Sequence, residues 1–154
     1  MNIGKNADMQ IVTWEETYKT KIPYIDNQHK ELINLINELY QACMTRQTVG
    51  TTFEKTMHKM VDYVHFHFSA ELVLLGKINY PMLPDHKAQH NSLVKQILEA
   101  EKEYEAGNKY TPNQFVRTLK DWVLSHIAIT DKLYATYVAD QVAKGRLNMK
   151  DLVV

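Results

Sequence analysis

Five histidines and two carboxylates in this 154-residue chain stand at spacings that could build a metal cage. His67 and Glu71 are four apart, as are His86 and His90; His29 lies upstream, and His126 and Asp131 are five apart downstream. Four residues is about one helical turn, so each such pair presents both side chains on one helix face, ~6 Å apart along the axis and wide enough for two adjacent ions. Imidazole with carboxylate suits iron, and by geometry alone admits zinc, manganese or copper. No thiolate joins the set, which argues against structural zinc and iron–sulfur chemistry. Calcium or magnesium would want oxygen ligands throughout.

The elements that must position these groups are helices. Glycine and proline punctuate the chain at Pro23, Gly50, Gly76 to Pro84, Gly107 to Pro112 and Gly145, and the long intervals between carry helical periodicity. The pattern predicts a first helix from about Asp26, as N-cap, to Cys43, with Leu32, Ile33, Ile36, Leu39 and Tyr40 on its apolar stripe. A second runs from about Thr52 to Leu75 through Phe53, Met57, Met60, Val61, Val64 and Phe68. A third begins near Pro84, carries Leu93, Val94, Ile97, Leu98 and Tyr104, and ends before Gly107. The fourth opens at the Thr111-Pro112 cap and places Phe115, Leu119, Trp122, Val123, Ile127, Leu133, Tyr134 and Tyr137 inward. Short connections make neighbouring helices antiparallel. The expected fold is all-α: an up-down-up-down four-helix bundle of about residues 25–140 in a single domain, with an extended N-terminal arm (1–24) holding Trp14 and Tyr18, and a short C-terminal tail.

Folding each hairpin about its turn brings the seven polar residues to one height. The midpoint of His29 and His67 is position 48; that of His67 and His90, and of Glu71 and His86, is 78.5; that of His90 and His126 is 108, and of His86 and Asp131 is 108.5. All of these midpoints fall in connections placed independently by glycine and proline. A lone histidine on an apolar face is usually a satisfied core residue, but seven polar groups in one layer are different. Unpaired, they would cost roughly 1–3 kcal/mol each against a total stability of ~5–15 kcal/mol. A metal cluster resolves that cost. His65 and His58 point to the opposite side of the second helix and are expected to be solvated. His126 and Asp131, ~140° apart on a regular helix, would share a face only if the backbone widened into a π-type turn near Ala128–Thr130.

Composition bounds the function. Eighteen basic and eighteen acidic residues cancel, which disfavours nucleic-acid or membrane-surface binding and leaves self-association into a homo-oligomer open. No apolar run approaches the ~20 residues of a membrane span. A single cysteine, Cys43, excludes an internal disulfide, and Met1–Gln10 lacks the apolar core of a signal peptide, so a cytoplasmic protein is expected. Two octahedral ions offer twelve positions; five imidazoles, two carboxylates that each bridge, and a shared oxo or hydroxo fill eleven. One remains open, which permits end-on binding of a small ligand without room for a second substrate. The four-glutamate, paired E-x-x-H signature of ferritin-like di-iron sites is absent. The set favours reversible binding over oxygen cleavage.

Four stretches carry a resemblance to a known family: Ile25–Lys30 (IDNQHK), Tyr63–Glu71 (YVHFHFSAE), Asn79–His90 (NYPMLPDHKAQH) and Trp122–Tyr134 (WVLSHIAITDKLY). Together they resemble the hemerythrins, bacterial members closely, over about Trp14 to Tyr137. The resemblance implies a non-haem di-iron centre that binds dioxygen for storage, delivery or sensing. One iron would take His86, His90 and His126, and the other His29 and His67 with the open position. Glu71 and Asp131 would bridge, together with an oxo or hydroxo group. It also implies an oxygen pocket, for which Ile25, Phe68, Leu75, Trp122 and Val123 are the expected lining. The alternative is a di-iron enzyme acting on peroxide or nitric oxide at the same vacancy. Three positions depart from the family pattern: Leu72 stands where an acidic residue is usual, Leu75 where methionine is, and Val123 where leucine is. The smaller Val123 is expected to admit water more readily and speed autoxidation.

Overall fold

Pro23 starts the first helix, because its fixed φ suits the first turn and its missing N–H is not needed there. In the computed structural model, which describes residues 10–45, 51–107 and 111–153, α1 spans Pro23–Met44, α2 Thr51–Lys77, α3 Leu83–Glu105 and α4 Pro112–Ser125. A five-residue π-helical turn, His126–Thr130, joins α4 without a break to α5, Asp131–Ala143. The predicted turn centres at 48 and 108 lie outside the described residues; the one at 78.5 falls in the α2–α3 connection, where Asn79 adopts a positive φ of 54°. Asparagine tolerates that conformation better than most residues.

Side-chain pairings fix the directions. His67 meets Gln28 and Lys59 meets Glu38, so α2 runs against α1. Glu71 meets His86 while His58 meets Glu101, so α3 runs against α2. His29 meets Asp131 and Met44 meets Asn113, so the fourth helix runs against α1 and closes the ring. The result is the expected antiparallel bundle. α4 is capped as its sequence predicts: the Thr111 hydroxyl accepts from the Gln114 amide at 3.2 Å, and the Gln114 side chain accepts from the Thr111 amide at 3.0 Å.

Three assignments need correction. Asp26 is not the N-cap of α1 but lies within its first turn, since Pro23 begins the helix earlier. Its carboxylate folds back to accept from the Thr20 amide (2.8 Å), the Thr20 hydroxyl (2.7 Å) and the Lys21 amide (3.1 Å). These bonds hold Lys21 at φ 65°, an unfavourable conformation for a side chain with a Cβ. Replacing Asp26 with alanine strands two amides and is expected to cost about 2–3 kcal/mol. Chemical denaturation would read this as a lower midpoint at unchanged slope; a midpoint equal to the parent's would refute it. Leu98 and Leu133, assigned to apolar stripes, are 43% and 60% exposed. Leu98 sits at the outer margin of α3, and Leu133 follows the π turn, whose extra residue rotates the register so that Tyr134 faces the core instead.

The described part of the arm, from residue 10, holds a 3₁₀ turn at Glu16–Tyr18 and is tied to α1 by Asn37. The Asn37 carbonyl accepts from the Ile11 and Val12 amides, and its amide donates to the Val12 carbonyl. At the other end of the chain Leu152 is buried. Apolar residues form two clusters. One, around Ile36, Phe53, Met57, Ile97, Phe115 and Leu119, fills the bundle toward the α1–α2 end. The other, with Ile25, Leu74, Leu75, Tyr80, Tyr134 and Leu152, fills the end near the α2–α3 turn. No helix among the described residues is long and apolar enough to cross a membrane.

Candidate metal centre

Between the two clusters lies a polar layer. His29, His67, Glu71, His86, His90, His126 and Asp131 are all buried, with Glu71, Asp131, His29 and His67 at 0% exposure. Their donor atoms fall into two overlapping groups: Glu71, His86, His90, His126 and Asp131; and His29, His67, Glu71 and Asp131. Within each group the donor atoms lie within 4.8 Å of one another. All seven residues singled out in the sequence therefore meet in one place.

The carboxylates are shared in a particular way. Oε1 of Glu71 faces Nε2 of His86 (2.5 Å) and His90 (3.0 Å), while Oε2 faces Nε2 of His67 (3.2 Å) and His29 (3.8 Å). Oδ1 of Asp131 faces Nε2 of His126 (3.1 Å) and His86 (3.5 Å), and Oδ2 faces Nε2 of His29 (3.1 Å). Each carboxylate thus turns one oxygen to the three-histidine group and the other to the two-histidine group. The π turn makes this possible. The Asp131 amide donates to the His126 carbonyl five residues back, so one widened turn separates the two side chains and both point inward.

The layer is poorly satisfied by hydrogen bonds alone. Both ring nitrogens of His29, Nε2 of His67, Nδ1 of His90 and both oxygens of Asp131 are buried without a hydrogen bond. His29 and Asp131 approach within 3.1 Å, so it is angle and not distance that fails. Nε2 of His90 and Nε2 of His126 face each other at 3.0 Å, where two lone pairs would repel. Nε2 of His29, Nε2 of His67 and the two Asp131 oxygens all turn into the layer, and a bound cation would satisfy them; Nδ1 of His29 and of His90 lie on the far side of their rings.

The electrostatics favour the same state. Burial opposes charge on Glu71, but His29, His67, His86 and His90 outweigh it and hold its carboxyl well below the usual range. Burial and the Glu71 charge oppose ionisation of Asp131; His126 and His29 reverse the balance and keep it low. Burial holds His67 and His90 below the usual imidazole value, and therefore neutral. Burial acts the same way on His29, yet Asp131 and Glu71 push it up to about 9. His126 is raised against burial by Asp131. Two anionic carboxylates beside neutral His67 and His90 suit metal ligation, and the negative charge of Asp131 and Glu71 that draws a proton to His29 is what a cation there would neutralise.

Two contributors were not identified from sequence. The Gln28 side-chain oxygen accepts from Nδ1 of His67 at 2.7 Å, which fixes the tautomer and turns Nε2 into the layer. The Tyr134 hydroxyl, fully buried, donates to Oε2 of Glu71 at 3.1 Å. Burial raises the Tyr134 pKa well above its ordinary value, so it stays a donor. Position offered a clue to both: Gln28 adjoins His29, and Tyr134 follows Asp131 by one turn, but each reads equally as ordinary polar edge or core. Of the expected pocket residues, Phe68 and Val123 lie in one apolar cluster with Trp122 packed against it, whereas Ile25 and Leu75 lie in the other, across the polar layer. The Phe68 ring stacks on His90 at 3.8 Å between centroids. His58 and His65 are exposed, as expected.

Comparison with known proteins agrees with this geometry. A family model, the hemerythrin HHE cation binding domain, matches residues 20–138. Bacteriohemerythrin of Methylococcus capsulatus is 31% identical over 129 residues, covering 82% of this chain and 95% of that protein. Bacteriohemerythrin of Stenotrophomonas maltophilia is 31% identical over 142 residues, covering 91% and 86%. A crystal structure of wild-type hemerythrin superposes with a TM-score of 0.73 at 29% identity, over 82% of this chain and 96% of that one. With the family's cation-binding domain spanning most of its length and seven buried donors converging at its centre, the chain belongs to the hemerythrin family.

Proposed function

We propose that the protein binds dioxygen reversibly at a pair of non-haem iron ions held in the polar layer. The observation that carries this reading is the split orientation of Glu71 and Asp131, each with one oxygen toward three histidines and one toward two. His86, His90 and His126 would hold one ion and His29 and His67 the other, with the carboxylates and an oxo or hydroxo group spanning both. Ferrous iron bound there would supply the electrons and the coordination position that dioxygen needs, and the His29–His67 group, with fewer imidazoles, would leave the vacancy. The protein supplies the rest. Gln28 orients His67, Tyr134 orients Glu71, and the neutral imidazoles limit the charge placed on the ions. Apolar packing on both sides excludes water from the layer, which disfavours loss of a charged oxygen species to solvent. Ile25, Phe68, Leu75, Trp122 and Val123 are the residues proposed to line the approach to the vacancy.

The test is an anaerobic oxygen titration of iron-loaded protein. A visible charge-transfer band should appear with oxygen and vanish under argon over repeated cycles. Bleaching after one cycle, or steady turnover of peroxide or nitric oxide, would replace the carrier reading with an enzymatic one. Val123, 3% exposed, bears on the lifetime of the complex. Val123→Leu adds a methylene near the layer and is expected to slow autoxidation in air, as followed by decay of the same band; an unchanged rate rejects the role given to that position.

A further inference from the structure

A second group of potential ligands lies outside the core, where α2 faces α3. Nδ1 of His58 is 2.8 Å from Oε1 of Glu101, and its Nε2 is 3.5 Å from Oε1 of Glu105. One donor atom from each of the three residues lies within 4.8 Å of the other two. Glu101 and Glu105 are one turn apart on α3, and Asp62 is one turn beyond His58 on α2. We propose that His58, Glu101 and Glu105 form a surface site for a divalent transition-metal cation of the zinc class, clamping α2 to α3.

Three features distinguish this group from an ordinary surface ion pair. The Glu101 side chain is only 13% exposed, so one ligand is largely desolvated and held in place by its surroundings. Its carboxyl is raised above the usual range, first by burial and then by Glu105 and Asp62, with His58 only partly offsetting them. Three carboxylates therefore crowd one imidazole, an excess of negative charge that a cation relieves. Lys59 reaches away to Glu38 at 3.4 Å, and among the described residues no lysine ion-pairs with Glu101 or Glu105. The imidazole selects the class of metal, since calcium and magnesium prefer oxygen alone. Three protein ligands leave a position for water.

The experiment is a calorimetric Zn²⁺ titration of the protein with its core metals loaded, repeated with Co²⁺ so that ligand-field bands report the coordination. The parent should take up one ion beyond the core complement. His58→Ala and Glu101→Gln should each weaken that uptake by at least ~10-fold, because losing a direct ligand costs no less than losing an outer-shell partner. His65→Ala, an exposed histidine on the same helix, serves as the control and should leave the isotherm unchanged. Parent, His58→Ala and Glu101→Gln all carry the same loaded core, so the outcome does not depend on what that core binds. Absence of an extra ion in the parent, or an extra ion indifferent to His58→Ala and Glu101→Gln, overturns the proposal.

Discussion

Glu71→Gln is expected to fold as the parent does and to lose paired metal binding. The amide keeps the volume of the carboxylate and can still accept from the Tyr134 hydroxyl, so packing in the 0%-exposed site is preserved. What disappears is the charge. Glu71 is the residue that faces four of the five histidines, and an amide nitrogen turned toward their lone pairs offers a cation nothing. Metal affinity should fall by ~100-fold or more, beyond the range seen when only an outer-shell partner is lost. Metal analysis after dialysis, beside circular dichroism to verify helix content, measures the effect. A folded variant that retained the parent's metal complement would remove Glu71 from the ligand set and with it the bridged arrangement.

Metal loading is the second large effect, and here the readout is stability. An ion that binds only the folded chain stabilises it by ~4 kcal/mol at a free concentration about 1,000 times its Kd. For a chain of this length each kcal/mol shifts Tm by roughly 2–4 °C, so removing the metal should lower Tm by about 10 °C. The physical cause is local: Nε2 of His29, Nε2 of His67 and both Asp131 oxygens are buried in the layer without hydrogen bonds, and a cation there is the partner they lack. Scanning calorimetry of the protein under argon, before and after chelation of its iron, tests this. The difference between the two should collapse in Glu71→Gln, which ties the two predictions together. Equal melting of loaded and stripped parent would mean that the layer is satisfied without a cation.

Both predictions depend on a layer that was largely legible in the residue spacing. The positions of His29, His67, His86 and His90 follow from helical period and turn symmetry alone. A hairpin of two regular antiparallel helices brings residues equidistant from its turn to the same height, whatever the details of packing. Even the widened turn before Asp131 could be inferred, because a five-residue gap on a regular helix would turn the carboxylate away from the layer. The structure places that turn at His126–Thr130 and draws its consequence, the rotation that exposes Leu133 and buries Tyr134.

What periodicity cannot supply is direction within the layer. The amino-acid sequence by itself determined which residues share a height in the bundle, since that depends only on rise per residue and on where the chain reverses. Only the tertiary structure decided how Glu71 and Asp131 divide their oxygens between the two histidine groups, and that Gln28 and Tyr134 lock His67 and Glu71 in place. It also decided that Asp26 secures the strained turn at Lys21 instead of capping α1. Each of these depends on side-chain rotation and on contacts from other elements, which a one-dimensional pattern does not contain. Height is a property of the helix, whereas the aim of a side chain is a property of its neighbours.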